Sequence, residues 1–118
     1  MVSEAYDEVY GSEHEPVIIE DVAIEEDAYQ KASELWQHPE IDCIFSNGDD
    51  MAAGFMQAYE EAGKQLPFIM GQENMLAGRL LGLSTIDNKS YQLGQESFKQ
   101  VVSEEKKTIV FKSEFIQR

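Results

Sequence analysis

The chain has 118 residues, with 23 acidic and 9 basic side chains and a formal net charge of −14. This charge argues against direct nucleic-acid binding, because phosphate contacts need clustered Lys and Arg. The length allows one domain at most, burying roughly two-thirds of the unfolded surface. A single cysteine excludes an internal disulfide. No segment reaches transmembrane length or has a secretory-signal pattern, so we expect neither export nor membrane insertion.

The first third of the chain predicts a helix, a strand and a second helix. Residues 3–10 favour a short helix, and the β-branched run 17–19 predicts a buried strand. An acidic cluster follows, as expected near a helix start, where carboxylates complement the macrodipole. Spacings of three and four then predict one apolar helix face, formed by Tyr29, Ala32, Leu35 and Trp36.

Two histidines raise the question of a metal site. His14 lies between Glu13 and Glu15, and His38 precedes Pro39. A stable site needs three or four convergent ligands, and neither histidine has a second histidine nearby. We therefore interpret both as solvated surface residues and predict no metal and no cofactor.

Residues 41–54 form the central pattern of the sequence. Residues 43–45 predict a strand buried on both faces, with Cys43 as a small core residue rather than a nucleophile. Asn47 and Gly48 tolerate the positive φ angles of a turn, and Asp49 is predicted to cap the following helix. That helix should end where Gly63 takes the C′ position. Strand, turn and helix make half of a βαβ unit, and ligands in open α/β sheets bind at such turns.

The second half of the chain predicts more elements of the same kind. Residues 66–71 predict an apolar strand whose carboxyl end, at 71–74, should lie beside the 47–49 turn. Residues 83–86 predict a strand, 87–89 a turn, and Ser90 the cap of a helix. One or two strands close the chain, at 108–111 and 114–116. The inner face of the last helix is predicted to hold Tyr91, Gly94, Phe98, Val101 and Val102.

Several of these segments together resemble the LacI/GalR family of transcriptional repressors over roughly residues 22–118. Residues 47–54 (NGDDMAAG), 59–63 (YEEAG) and 66–67 (LP) are similar to the family pattern N-D-x-M-A-x-G, A-L-x-E-x-G and V-P. Residues 69–74 (IMGQEN) resemble V-I-G-F-D-D, and 83–87 (LSTID) resemble L-T-T-I. Residues 93–95 and 113–118 continue the match. The order and spacing make the resemblance specific, although no single piece is.

The resemblance implies a fold and a site. The fold would be α/β, a three-layer parallel sheet flanked by helices, as in the C-terminal lobe of a type I periplasmic-binding-protein-like domain. The main hydroxyl-binding carboxylate would be Glu73, where relatives commonly have Asp. Gly48 stands where they often have a hydrogen-bonding Asn, so Asn47 or Asp49 would take over that contact. The implied ligand-binding set is Glu73, Asn47, Gly48, Asp49, Gln72, Ala23 and Asn88.

The resemblance also implies an assembly. A sensor domain of this family has two lobes, and a helix-turn-helix that binds DNA precedes both. Residues 1–86 and 111–118 would belong to the C-terminal lobe and 87–110 to the N-terminal lobe, so we expect a partial sensor domain without the DNA-binding domain. The apolar segment 77–83 is either a short core helix or part of a homodimer interface. The interface residues would be Arg79, Leu80, Leu81 and Met56.

Three classes of function follow. The first is the effector-sensing part of a cytoplasmic repressor, binding a sugar or sugar phosphate and reaching DNA only through an N-terminal domain. The second is a transport-type sugar-binding protein with the same fold, although residues 83–86 and 114–118 favour the regulator. The third is an enzyme. Gly48, Asp49 and Asp50 match the GDD of RNA polymerases, but that motif lies between two strands and a helix follows here, so we predict no catalytic residues.

Overall fold

The computed structural model describes residues 2–11 and 16–118. Helix α1, Val2–Tyr10, confirms the predicted first helix. The predicted strand at 17–19 is wrong, because these residues form no strand and Ile18 is exposed. Helix α2, Glu25–Leu35, begins with three acidic residues. One of them, Asp27, accepts hydrogen bonds from the backbone N–H groups of Ala23 and Ile24, at 3.0 and 3.2 Å.

Four strands form one sheet in the order β1-β2-β3-β4. The strands β1 (Cys43–Phe45), β2 (Phe68–Gln72) and β3 (Ser84–Asp87) are parallel, as predicted. The sheet is nevertheless mixed, since β4 (Glu114–Ile116) runs antiparallel to β3. No strand forms at 108–111.

Helix α3, Asp49–Glu61, follows β1 directly and ends as the sequence predicts. Gly63 has φ +66 and donates its N–H to Glu60, while Lys64 donates to the carbonyl of Tyr59. These two bonds form a Schellman motif, which satisfies carbonyls left free at a helix end.

The hydrophobic core lies between α2, α3 and the sheet. Its buried members are mainly small on the helices and branched on the strands: Ala28, Ala32, Leu35, Ile44, Ala52, Phe55, Ala58, Tyr59, Ile69 and Leu83. Gly54 allows the close approach of α2 to α3, since a Cβ there would lie 2.3 Å from the carbonyl oxygen of Glu25. The packing of α2 on α3 therefore depends on small residues at the contact.

Helix α4, Leu76–Leu81, and helix α5, Ser90–Val102, are less well covered. Helix α5 has no buried residue, and Tyr91 is 78% and Phe98 69% exposed. Its predicted inner face is therefore exposed. Ser90 does not cap the helix, because the cap position is Lys89 and no side-chain cap bond forms.

Candidate functional site

The carboxyl ends of the three parallel strands meet at one edge of the sheet. Asn47 follows β1, Glu73 follows β2 and Asn88 follows β3. Because neighbouring parallel strands end on the same side, this topology brings three predicted site residues to one edge. Asn47 and Glu73 are exposed there, and Asn88 is partly buried. This edge is the candidate ligand-binding site.

The turn after β2 has an unusual backbone. Glu73 and Asn74 have positive φ angles of 84 and 50. Asn tolerates this left-handed region, but a Glu held there costs on the order of 1–3 kcal/mol and needs support from its surroundings. The support includes two hydrogen bonds, from Glu73 N–H to the Ile86 carbonyl at 2.8 Å and from Asn74 N–H to Thr85 Oγ1 at 3.3 Å. The turn therefore depends on β3 for its shape.

Both carboxylate oxygens of Glu73 accept hydrogen bonds from the segment after β3. Asn88 Nδ2 donates to Oε1 at 2.7 Å, and Ser90 Oγ donates to Oε2 at 2.8 Å. Ser113 Oγ in turn donates to Asn88 Oδ1 at 2.7 Å. The structure thus brings Glu73 and Asn88 into contact, and it adds Ser90, for which the sequence predicted only a helix-capping role.

Asn74 joins this site to the end of the chain and to α4. Its side chain donates to Asp87 Oδ2 at 3.2 Å and accepts from Arg118 Nη2 at 2.6 Å. Its backbone carbonyl accepts two hydrogen bonds from Arg79, at 3.2 and 3.1 Å. This role was not predicted, although a signal was available. Asn74 is the second residue after β2, and Asn adopts positive φ and bonds locally.

Asp49 differs most from its predicted role. It is the first residue of α3, Gly48 occupies the cap position, and the Asp49 side chain is fully buried. Its Oδ1 accepts the Thr85 hydroxyl at 2.9 Å and its Oδ2 accepts the Met75 N–H at 2.8 Å. The predicted capping role is therefore wrong. This burial also argues against direct contact between Asp49 and a ligand.

The other predicted ligand-binding residues surround this edge at different depths. Gly48 is buried, and a Cβ there would lie 2.7 Å from Asp50 Oδ1, so a side chain would require Asp50 to move. Gln72 ends β2 and is partly buried. Ala23 is exposed in the loop before α2, and its N–H donates to Asp27. Within the described residues, no hydrogen bond joins Ala23 to Glu73 or Asn88.

The predicted interface residues lie on or near α4. Leu80 is 78% and Leu81 47% exposed, so the alternative of a core helix is wrong for these two side chains. Arg79 is exposed and bound to Asn74, and Met56 on α3 is partly buried against the core. Phe68 and Leu76 add exposed apolar area. This surface remains available for association.

The metal and cysteine predictions have separate outcomes. Cys43 is exposed, which contradicts its predicted place in the core and the prediction that β1 is buried on both faces. Nδ1 of His38 lies 3.3 Å from Glu40 Oε1. Within 2–11 and 16–118, no three His, Cys, Asp or Glu side chains are grouped to hold a metal ion. His14 lies outside the described residues.

Two shallow grooves lie away from this edge, along α2 and α3. One of about 370 Å³ is lined by Ile24, Glu25, Glu26, Tyr29 and Gln57. The other, of about 360 Å³, includes Trp36 and Glu61. Tyr29 donates its hydroxyl proton to Glu61, and this bond raises the pKa of Tyr29 and lowers the pKa of Glu61. The contact connects the two helices, and we assign the candidate site to the sheet edge rather than to these grooves.

Comparison with known proteins identifies the fold and then the family. No family model matches the chain. A LacI family transcriptional regulator from Enterococcus faecium, solved with bound ribose, superposes with a TM-score of 0.82 at 24% identity, covering 98% of this chain and 47% of that one. A LacI-family regulatory protein from Corynebacterium glutamicum gives a TM-score of 0.78 at 27% identity, covering 98% of this chain and 50% of that one. The fold is thus that of a type I periplasmic-binding-protein-like sensor domain.

A sequence relative identifies the family. The ribose operon repressor of Halalkalibacterium halodurans is 33% identical over 99 residues, which is 79% of this chain and 30% of the repressor. The chain belongs to the LacI/GalR family of transcriptional regulators and carries part of their sensor domain. It spans about half the length of the two solved chains and less than a third of the repressor. No helix in the described part of the chain is long and apolar enough to cross a membrane.

Proposed function

We propose that this chain is the effector-sensing part of a LacI/GalR-type repressor and that its effector is a small carbohydrate. The observation that carries the proposal is the exposed Glu73 carboxylate, whose two oxygens each accept a neutral hydrogen-bond donor at the edge of the parallel strands. A carboxylate accepts two such bonds from adjacent hydroxyl groups, which is how it recognises a polyol.

The surrounding side chains support a polar ligand of this kind. Asn47 can donate and accept hydrogen bonds, as sugar hydroxyl groups require, and the Asn88 amide offers the same groups once its bond to Glu73 is exchanged. Gln72 lies next to Glu73, and Ala23 would contribute backbone and a small apolar surface to the wall of the cleft. Gly48 leaves room beside Asn47 but offers no side chain.

A neutral sugar fits better than a sugar phosphate. The nearby cations are engaged, since Lys89 pairs with Glu114 at 3.2 Å and Arg118 binds Asn74 and the Leu83 carbonyl. The net charge of −14 also opposes an anionic ligand. The ribose in the Enterococcus faecium structure and the name of the Halalkalibacterium halodurans repressor make ribose the first sugar to test.

In this proposal, sugar binding changes DNA affinity by coupling two sites in a longer protein. Residues 1–86 and 111–118 form the C-terminal lobe, while 87–110 pack on an N-terminal lobe that precedes this chain together with a helix-turn-helix. The homodimer forms through Arg79, Leu80, Leu81 and Met56, an isologous contact. The protein works in the cytoplasm, with no enzymatic activity and no cofactor.

The relatives favour this proposal over a transport-type binding protein. The three compared above are transcriptional regulators. The transport alternative shares the fold, but no observation on this chain favours it.

A thermal-shift screen tests the proposal. Ribose and a panel of other sugars are added to this chain and to a longer chain that includes the N-terminal lobe. Ligand at a hundred times its Kd should stabilise the folded state by about 2.7 kcal/mol. Glu73→Ala should abolish the shift, and Glu60→Ala, which changes an exposed carboxylate on α3, should retain it.

Two results would contradict the proposal. A sugar-dependent shift that survives Glu73→Ala would remove Glu73 from the site. Cooperative melting of both chains with no response to any sugar would remove the carbohydrate effector.

A further inference from the structure

The first residues of α5 are tied to the candidate site by one side-chain bond. Ser90, the first residue of α5, donates its hydroxyl to Glu73 Oε2 at 2.8 Å. Among the described residues, the other hydrogen bonds of α5 side chains stay within residues 89–107, such as Ser97 to Leu93 and Lys99 to Glu96. The start of α5 is also held through Lys89, whose N–H donates to Asp87 and whose ammonium pairs with Glu114, and the Ser90 bond is the tie that reaches Glu73.

Asn88 adds a second tie two residues earlier. It donates to the other oxygen of Glu73 at 2.7 Å and accepts from Ser113 at 2.7 Å. Ser113 lies just before β4, so this network links the segment that leaves the sheet after β3 to the segment that returns to it. Glu73 therefore holds both connecting segments through one carboxylate.

The donors on Glu73 have the chemistry of the proposed ligand. A serine hydroxyl and an amide N–H are neutral donors, and a sugar hydroxyl is the same kind of donor to a carboxylate. Each carboxylate oxygen can accept two hydrogen bonds, so a sugar takes the places of Ser90 and Asn88 where its hydroxyl groups use the lone-pair positions that these two donors occupy. The exchange keeps the number of hydrogen bonds constant, so its net free energy is small compared with forming new bonds.

We infer that Ser90 and Asn88 are internal substitutes for the effector's hydroxyl groups, so that Ser90 lowers sugar affinity and ties the start of α5 to Glu73. The competition part of this inference rests on the proposed function. In this inference the sugar hydroxyl takes the lone-pair position on Oε2 that Ser90 now occupies, so that binding of one displaces the other. Effector binding would then release the start of α5, a coupling between the ligand and the connecting segment.

The tie itself can be tested without a ligand. Backbone ¹⁵N relaxation on the 118-residue chain reports fast motion at residues 88–93. Ser90→Ala should lower the heteronuclear NOE at these residues, while Ser97→Ala, which removes a hydroxyl bonded only to the Leu93 carbonyl of its own helix, should leave it unchanged. Equal heteronuclear NOE values at residues 88–93 in both variants and the natural chain would show that Ser90 does not tie α5 to Glu73.

Titration with D-ribose tests the competition, because competition and direct contact predict opposite changes in the Kd of Ser90→Ala. Removing a competing hydrogen bond should lower the Kd of Ser90→Ala by roughly two- to tenfold, while Ser97→Ala should match the natural chain. Weaker or unchanged binding in Ser90→Ala would overturn the competition and make Ser90 a direct contact or a bystander. If no variant binds ribose, the ribose proposal fails, and the relaxation measurement still decides whether Ser90 ties α5 to Glu73.

Discussion

Asp49 shows how a motif residue can be conspicuous in the sequence and still have its role set by distant neighbours. Its carboxylate lies between two glycines, since a Cβ on Gly71 or on Gly78 would lie 2.1 Å from one of its oxygens. Its donors, Thr85 and the N–H of Met75, are 36 and 26 residues away. An Asp before a helix usually caps it. Here Gly48 takes the cap position, so the next side chain turns into the interior.

Removing this carboxylate should destabilise the lobe strongly. Asp49→Ala leaves the buried Thr85 hydroxyl and the partly buried Met75 N–H without their acceptor, and an unsatisfied buried group costs about 1–3 kcal/mol. We expect the free energy of unfolding to fall by about 2–5 kcal/mol, measured as a lower urea midpoint at an unchanged m-value.

Asp50→Ala is the matched control, because the Asp50 carboxylate is only partly buried and accepts from the adjacent Met51 N–H. Its midpoint should move far less. Equal midpoints for Asp49→Ala and the natural chain would show that the buried carboxylate adds nothing to stability.

The elements that could be predicted are those whose pattern and packing agree. The β1, α3 and β2 sequence shows an apolar run, a glycine turn and a helical spacing that ends at Gly63, and all of these are present in the structure. Residues 17–19 are β-branched, which favours a strand, but they lack a strand partner. Without pairing, β-propensity is only a weak preference.

Some residues of the candidate site could also be predicted from the sequence, and others could not. Glu73 and Asn88 could be named from the family resemblance, and the structure places them after neighbouring strands. The bonding partners of Ser90 and Asn74 could not be predicted, because they depend on positive φ at Glu73 and Asn74 and on the return of the chain to β4. Such geometry is fixed by tertiary contacts rather than by local spacing.

The contact between α2 and α3 should make stability depend on pH. The bond from Tyr29 lowers the pKa of Glu61 in the folded chain. The stability that this bond adds through Glu61 is therefore fully present above the pKa of Glu in the unfolded chain, and it is lost as pH falls through the lowered pKa of Glu61. The same bond raises the pKa of Tyr29 in the folded chain. The stability that it adds through Tyr29 is therefore fully present below the pKa of Tyr in the unfolded chain, and it is lost as pH rises through the raised pKa of Tyr29. Tyr29→Phe should therefore lower stability most between about pH 5 and 9.

Urea unfolding of Tyr29→Phe and the natural chain at pH 3.5, 7 and 10.5 measures this difference. The difference should be largest at pH 7 and smaller at both extremes. Tyr91→Phe is the control, since Tyr91 is exposed on α5 and its hydroxyl forms no hydrogen bond with the other described residues. A difference for Tyr29→Phe that stays constant across the three pH values would contradict the assigned bond.

The chain as a unit exposes more surface than a self-contained domain of its size. Its accessible area is 8618 Å², against about 6,500 Å² for a compact monomer of this mass. The radius of gyration is 17.0 Å, where about 13.5 Å is typical for 118 residues. Two apolar faces contribute to the excess, one on α4 with Leu80 and one on α5 with Phe98. Exposed patches of this kind indicate surfaces that other parts of a protein cover.

The two faces should have different partners, and paired variants can separate them. If α4 forms the homodimer, Leu80→Asp with Leu81→Asp places like charges at the centre of an isologous contact and should convert dimers to monomers in sedimentation velocity. Phe98→Asp with Val102→Asp changes the α5 face, which we assign to the N-terminal lobe, and should leave the dimer intact. Dissociation by the α5 pair but not by the α4 pair would reverse this assignment and make α5 the surface through which two copies associate.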